Sequence, residues 1–180
     1  LTFGGDIYIS VMTVLNSVRQ IAQTPVMAIA DGATAVISFN YGAKAYSRVR
    51  DAIRFMTQLA FGYTALSWLL ISLFPAAFIR IFNQDAAMLR AAIPSLHIYF
   101  FGFVMMAFQY SGQSTFKSLN RAGFAVFFSL LRKAFIVVPL TLVLPRVAGL
   151  GVNGVFAAEP ISNLIGGLAC YITMRCTVMR

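Results

Sequence analysis

Residues Phe55 to Ile79 read FMTQLAFGYTALSWLLISLFPAAFI, twenty-five in a row without a charged side chain. A helix rises 1.5 Å per residue, so about 20 apolar residues cross the ~30 Å hydrocarbon core of a bilayer. A run this long and this apolar is a membrane span. A barrel strand does not fit, because about 9–11 residues of strict alternation suffice for one. Working outward, Pro, Gly and charge cut the chain into similar runs at about 7–42, 93–116, 122–144 and 152–174. The expected fold is all-α and polytopic, one transmembrane domain of five spans.

Composition agrees. Of 180 residues, 59% are hydrophobic and 11% charged, with a mean hydropathy of +0.80. A soluble domain carries about 25% charged residues. This chain has too little charge to cover a surface in water. The net charge of +9 does not point to nucleic acid, because the basic residues cluster between the apolar runs. That is the pattern membrane topology requires. Cys170 and Cys176 stand six residues apart and point about 240° apart on a helix, so they cannot pair. They read as two buried thiols.

The first run is too long for one straight crossing, since 36 helical residues measure about 54 Å. Pro25 inside it lacks the N–H that bonds one turn back. A kink there, or a helix extending beyond the bilayer, is expected. Basic residues then set the orientation. Lys44, Arg48, Arg50 and Arg54 follow the first span, Lys117 and Arg121 the third, and Arg175 and Arg180 the fifth. Only Arg80, Arg90 and Arg146 lie on the other side. Arg132 and Lys133 fall inside the fourth run and are expected to snorkel. The positive-inside rule puts the richer side and the C-terminus in the cytoplasm. The chain opens on Leu1 and begins outside with an odd number of spans, so one or more helices are expected to precede it.

Polar residues inside the spans fall at helical spacing. Asn16, Gln20 and Gln23 share a face with Thr13, and Arg19 flanks them. Asp31, Thr34 and Ser38 continue beyond Pro25. The third span carries Tyr99, Gly102, Met106, Gln109 and Gln113. The fifth carries Glu159, Asn163, Gly166, Cys170 and Thr173. Polar residues in lipid face inward. Three such faces suggest a shared hydrated cavity; hydrogen bonding between helices is the competing explanation. Glu159 stands seven residues into its span, about 10 Å deep, and must be protonated, paired or hydrated there. Pro160 removes a donor beside it and could open the helix for coordination. Glu159 and Asp31 are thus cation-coupling candidates. Asn16, Arg19, Gln20, Gln23, Gln109, Gln113 and Asn163 are candidates for lining a substrate cavity. Arg19 is expected to pair with one of the acids. His97 has no further ligands grouped near it and reads as a packing residue. No catalytic triad, paired catalytic carboxylates, metal spacing or phosphate loop is present, so no enzyme is expected.

Three ordered motifs carry a family resemblance. The first is Pro25-Val-Met-Ala-Ile-Ala-Asp31-Gly-Ala33 with Ser38-Phe-Asn-Tyr-Gly-Ala-Lys44 and Arg48-Val-Arg50. The second is Leu131-Arg132 followed by Pro139 and Leu144-Pro145. The third is Gly149-Leu-Gly151-Val-Asn-Gly154-Val-Phe-Ala-Ala-Glu159-Pro160-Ile-Ser162-Asn163. Together they resemble helices eight to twelve of the multidrug and toxic compound extrusion (MATE) family. The resemblance implies most of the C-terminal lobe of a twelve-helix antiporter in a bacterial cytoplasmic membrane. Protons or sodium ions, with no other cofactor, would drive export of cationic amphipathic drugs. Its partners would be the bilayer, helix seven and the N-terminal lobe. Asp31 stands where many members have Gln, and Asn163 where many have Asp. The family's acidic cation site in this lobe uses helices seven and ten, and the third span here has no acid. A lipid-linked-sugar flippase of related architecture, with a more basic cavity, and a non-transporting bundle are the alternatives.

Overall fold

The structure, a computed structural model, describes residues 5–147 and 150–178. Its helices are α1 (Gly5–Gly42), α2 (Tyr46–Leu73), α3 (Pro75–Arg80), α4 (Ala86–Phe100), α5 (Met106–Ser118), α6 (Ala122–Leu130), α7 (Val138–Val147) and α8 (Val152–Val178). A 3₁₀ turn, Phe103–Met105, joins α4 to α5, and a π-helical segment, Leu131–Val137, joins α6 to α7. The described residues contain no strand. Four helical units are long and apolar enough to cross a membrane: α1, α2, the continuous 122–146 unit and α8. The α4–α5 pair, bent by 40°, makes a fifth.

Several boundaries differ from the sequence reading. The second span starts at Tyr46 rather than 55 and stops at Leu73. Pro75 has no N–H and pushes Phe74 out of helical geometry (φ −125°, ψ 50°), so the last residues of the apolar run form the separate α3. The third span is broken at Gly102 rather than continuous over 93–116. The first helix passes Pro25 without interruption. Pro160 likewise leaves α8 unbroken and does not open the helix for coordination.

Both turns on the basic side have one design. After α1, Ala45 N–H bonds Asn40 C=O and Lys44 N–H bonds Tyr41 C=O, with Lys44 at φ +58°. After α5, Arg121 N–H bonds Phe116 C=O and Asn120 N–H bonds Lys117 C=O, with Asn120 at φ +57°. These are Schellman caps, which satisfy the last helical carbonyls through one left-handed residue. They turn the chain within a few residues, so α1 packs beside α2 and α5 beside α6. At the opposite end, Asp85 caps α4 by accepting from the Ala87 and Met88 amides.

The packed interior has two main parts. Val11, Leu15 and Val18 of α1 pack with Leu96, Phe100, Phe103 and Phe156 toward the end away from the basic turns. Ile37, Ile53, Phe116, Phe128 and Met174 pack near the basic end. The outside is the reverse of a soluble protein: Phe55, Leu66, Leu73, Phe101, Phe127 and Phe135 are all exposed. Such a surface is stable only against lipid or protein.

Close packing of α8 depends on small residues. A Cβ on Gly102 would stand 2.5 Å from Pro160 O, one on Gly167 2.7 Å from Met105 O, and one on Gly112 2.7 Å from Cys170 Sγ. The glycines let the α4–α5 break lie directly on the α8 backbone, as membrane helices commonly do.

Candidate functional site

Three helical elements meet at one carboxylate. Glu159 reaches inward from α8, and its Oε1 accepts from Arg19 Nη1 of α1 at 2.5 Å and from Arg132 Nη1 of the π segment at 3.0 Å. Arg132 Nη1 also donates to Asn163 Oδ1 at 2.6 Å, one turn along α8 from Glu159. The side chains of Arg19, Glu159 and Arg132 are 18%, 12% and 8% exposed. At such burial an ion pair is poorly screened, and losing one partner costs far more than at a surface. Two positive charges here face one negative charge.

Local structure explains how Arg132 arrives there. It lies in the least buried of the span-length units, only 11% of whose apolar window is buried. The π-helical turn alters the local rotation of the side chains, so Arg132 points inward while the neighbouring Lys133 stays exposed. Gly166 leaves room for the Arg132 stem; a Cβ there would stand 3.0 Å from Arg132 Cγ. The expectation that Arg132 snorkels is therefore corrected: it is an interior ligand of Glu159. Only Lys133 keeps an outward position.

Arg19 is steadied from a second side. Its guanidinium carbon sits 5.8 Å from the centre of the Tyr99 ring, within cation–π range. The Tyr99 hydroxyl donates to Asn16 Oδ1 at 2.8 Å. Hydrogen bonds of this kind in membrane proteins average about 0.6 kcal/mol. Tyr99→Phe should therefore lower the melting temperature of the full-length protein only slightly, while Tyr99→Ala, which also removes the ring from Arg19 and from the apolar cluster around Leu96 and Phe100, should lower it by several degrees. Equal losses would place the energy in the hydroxyl instead.

The polar face of α1 divides in two. Asn16, Arg19 and Gln23 are half-buried, and the first two join the network. Thr13, Gln20, Thr24 and Asp31 are exposed along the adjoining edge. Thr34 and Ser38, in the same line, are interhelical ties: Thr34 Oγ1 and Ser114 Oγ lie 2.8 Å apart, Ser114 Oγ donates to Ala30 O at 2.6 Å, and Ser38 Oγ donates to Ser118 O at 3.0 Å. In the third span, Gln109 is buried and Gln113 half-buried.

The two acids are thus not brought together. Glu159 takes Arg19 as its partner, and Asp31 lies 12 residues further along α1, about 18 Å by helical rise. Asp31 makes no ion pair among the described residues. Arg132 and Tyr99 are the site residues absent from the sequence-derived candidates. The available signal for Arg132 was its position far inside an apolar run. Cys170 is buried but Cys176 is exposed, correcting the reading of two buried thiols. The His97 ring lies against Ile93 O at 2.9 Å and Ser72 O at 3.1 Å, tying α4 to α2. No group of His, Cys, Asp or Glu among the described residues is placed to hold a metal ion.

Bent, glycine-packed apolar helices around a buried charge network define one lobe of a polytopic helical membrane protein. Residues 2–143 match the MatE family model, and the chain belongs to that family. Comparison with curated proteins gives no match. Solved structures agree in fold. An outward-facing multidrug resistance MATE transporter of the MOP superfamily superposes with a TM-score of 0.92 at 18% identity over 99% of this chain. An inward-facing structure of such a transporter gives 0.87 at 17% over 95%. A MOP superfamily transporter from Pyrococcus furiosus, described as having a binding pocket of reverse polarity, gives 0.92 at 18% over 99%. The chain spans about 40% of the length of each.

Proposed function

We propose that this chain forms five helices of one lobe of a secondary antiporter. The full protein would export amphipathic small molecules in exchange for protons or sodium ions. Cationic drugs and toxins are the class the family resemblance implies. The observation that carries this reading is Asp31, an exposed carboxylate inside a membrane helix with no basic partner among the described residues. A carboxylate at that depth is expensive unless water or a cation reaches it. It stands on the same exposed edge as Gln20 and Thr24, a polar line unsuited to lipid. That edge suits a hydrated cavity shared with helix seven and the other lobe. Asp31 is the better coupling site of the two acids, because the charge of Glu159 is already answered by two guanidinium groups. The lobe sits in a plasma membrane, a bacterial cytoplasmic membrane in the resemblance, with its basic loops and C-terminus inside.

Ethidium efflux from cells carrying the full-length protein tests this. Asp31→Asn should leave expression and melting temperature near wild type, since no partner is lost, and should reduce gradient-driven efflux at least tenfold. Replacing the proton gradient by a sodium gradient then identifies the ion. Wild-type efflux in Asp31→Asn would exclude Asp31 as the coupling carboxylate.

One observation favours a second reading, the lipid-linked-sugar flippase. The sequence placed a single arginine, Arg19, in the interior. The structure adds Arg132, bringing the basic count closer to what a phosphate-bearing cargo requires.

A further inference from the structure

The charge network is unbalanced, and so are its hydrogen bonds. Arg19 and Arg132 share one oxygen of one carboxylate, leaving a surplus positive charge among the spans. Among the described residues, Arg19 Nε and Arg132 Nε are buried side-chain donors without a partner, as is Gln113 Nε2; the Ser111 hydroxyl is likewise unpartnered. The network therefore has buried N–H groups that its own geometry leaves unmet. A buried surplus charge with unmet donors calls for an anionic acceptor. Arg19 is the most open member, at 18% exposure, and it lies beside the exposed polar edge of α1.

We propose that Arg19 and Arg132 form a docking site for an anionic oxygen group, a carboxylate or phosphate, on the transported molecule. Glu159 is then the resting counter-ion that holds both guanidinium groups in place between cargoes. This rests on the transporter reading and specifies its substrate class: the amphipath carries at least one acidic group, whatever cationic group it also bears. Asp31, about 18 Å along α1, remains free for the coupling cation. Guanidinium donors make charge-assisted, often bidentate bonds with such groups.

Binding and flux separate the two claims. Full-length protein in detergent is titrated with a rhodamine free acid, its ethyl ester and carboxyfluorescein, read by fluorescence polarisation. The same probes are followed in proteoliposomes under imposed gradients. The acid and carboxyfluorescein should bind at least tenfold more tightly than the ester, the scale of one charge-assisted hydrogen bond. Arg19→Gln should remove that preference, and Arg19→Lys, which keeps the charge, should retain most of it. Stronger competition by a short-chain phosphatidic acid than by carboxyfluorescein would assign the group to a lipid headgroup; the reverse would assign it to a soluble cargo. Equal or weaker binding of the acid by wild type overturns the proposal, even should Arg19→Gln fail to fold. It also falls if Arg19→Gln folds and weakens all three probes equally, since that marks a structural pair. Acid-selective binding without flux under any gradient upholds the site and overturns the antiporter reading.

Discussion

Glu159→Gln should destabilise the full-length protein more than any other single substitution in the network, by about 3–5 kcal/mol, because it leaves two buried guanidinium groups without their shared anion. The amide oxygen can still accept hydrogen bonds but carries no charge, and its NH2 adds donors where donors are already in excess. Arg19 and Arg132 would then repel one another across a poorly screened interior. The elements they join, α1, the π segment and α8, would lose the tie that draws them together. A fluorescence-detected melting curve in detergent reads this directly. The double variant Glu159→Gln/Arg132→Gln restores the charge surplus of the wild type and should recover part of the lost stability. Non-additivity of this kind is the signature of a coupled network. Should Glu159→Gln melt with the wild type, the three-residue bridge does not form in the membrane. Should the double variant lose the sum of both single losses, the residues act independently. Measured together, Asp31→Asn and Glu159→Gln separate coupling from architecture: the first should impair efflux with little loss of stability, the second should impair both.

Gly102→Ala should disrupt the lobe at its tightest contact. The added Cβ would meet the Pro160 oxygen at 2.5 Å, its Cα at 2.7 Å and its carbonyl carbon at 2.9 Å, all backbone atoms of a continuous helix. A side chain can rotate away from such a contact, but a helix backbone must move as a body. Overpacking in a close-packed interior costs about 1–3 kcal/mol, and the upper end is expected here. The displacement would also move Pro160, next to Glu159, and so loosen the charge network. Gly62→Ala and Gly123→Ala are the matched controls, since a Cβ at either position meets nothing within 4 Å. Size-exclusion profiles and melting curves of the three variants should separate Gly102→Ala from the other two. Identical behaviour of all three would mean that the α4–α5 break stands further from α8 than described.

Much of this protein is determined by local chemistry. The charge-free run at 55–79, the helical spacing of the polar residues and the asymmetry of Lys and Arg between loops require no knowledge of neighbours. They follow from the thickness of the bilayer and the cost of charge within it. The membrane class, the number of spans and the family motifs were therefore legible in the chain itself, as was the expectation that Arg19 meets an acid.

Tertiary structure decided the rest. Periodicity assigned one continuous polar face to α1, yet packing divided it: Asn16 and Arg19 join the network, Gln20 and Asp31 stay exposed, and Thr34 and Ser38 become ties to α5. Residues a few tens of degrees apart on a helix share a stripe in sequence but can fall on opposite sides of a helix–helix contact. Arg132 was misread for a related reason. Regular 3.6-residue spacing does not anticipate a π-helical turn, and that turn aims Arg132 at Glu159, 27 residues later. The pairing of two arginines with one carboxylate joins three helical elements distant in the chain, so only their packing could determine it.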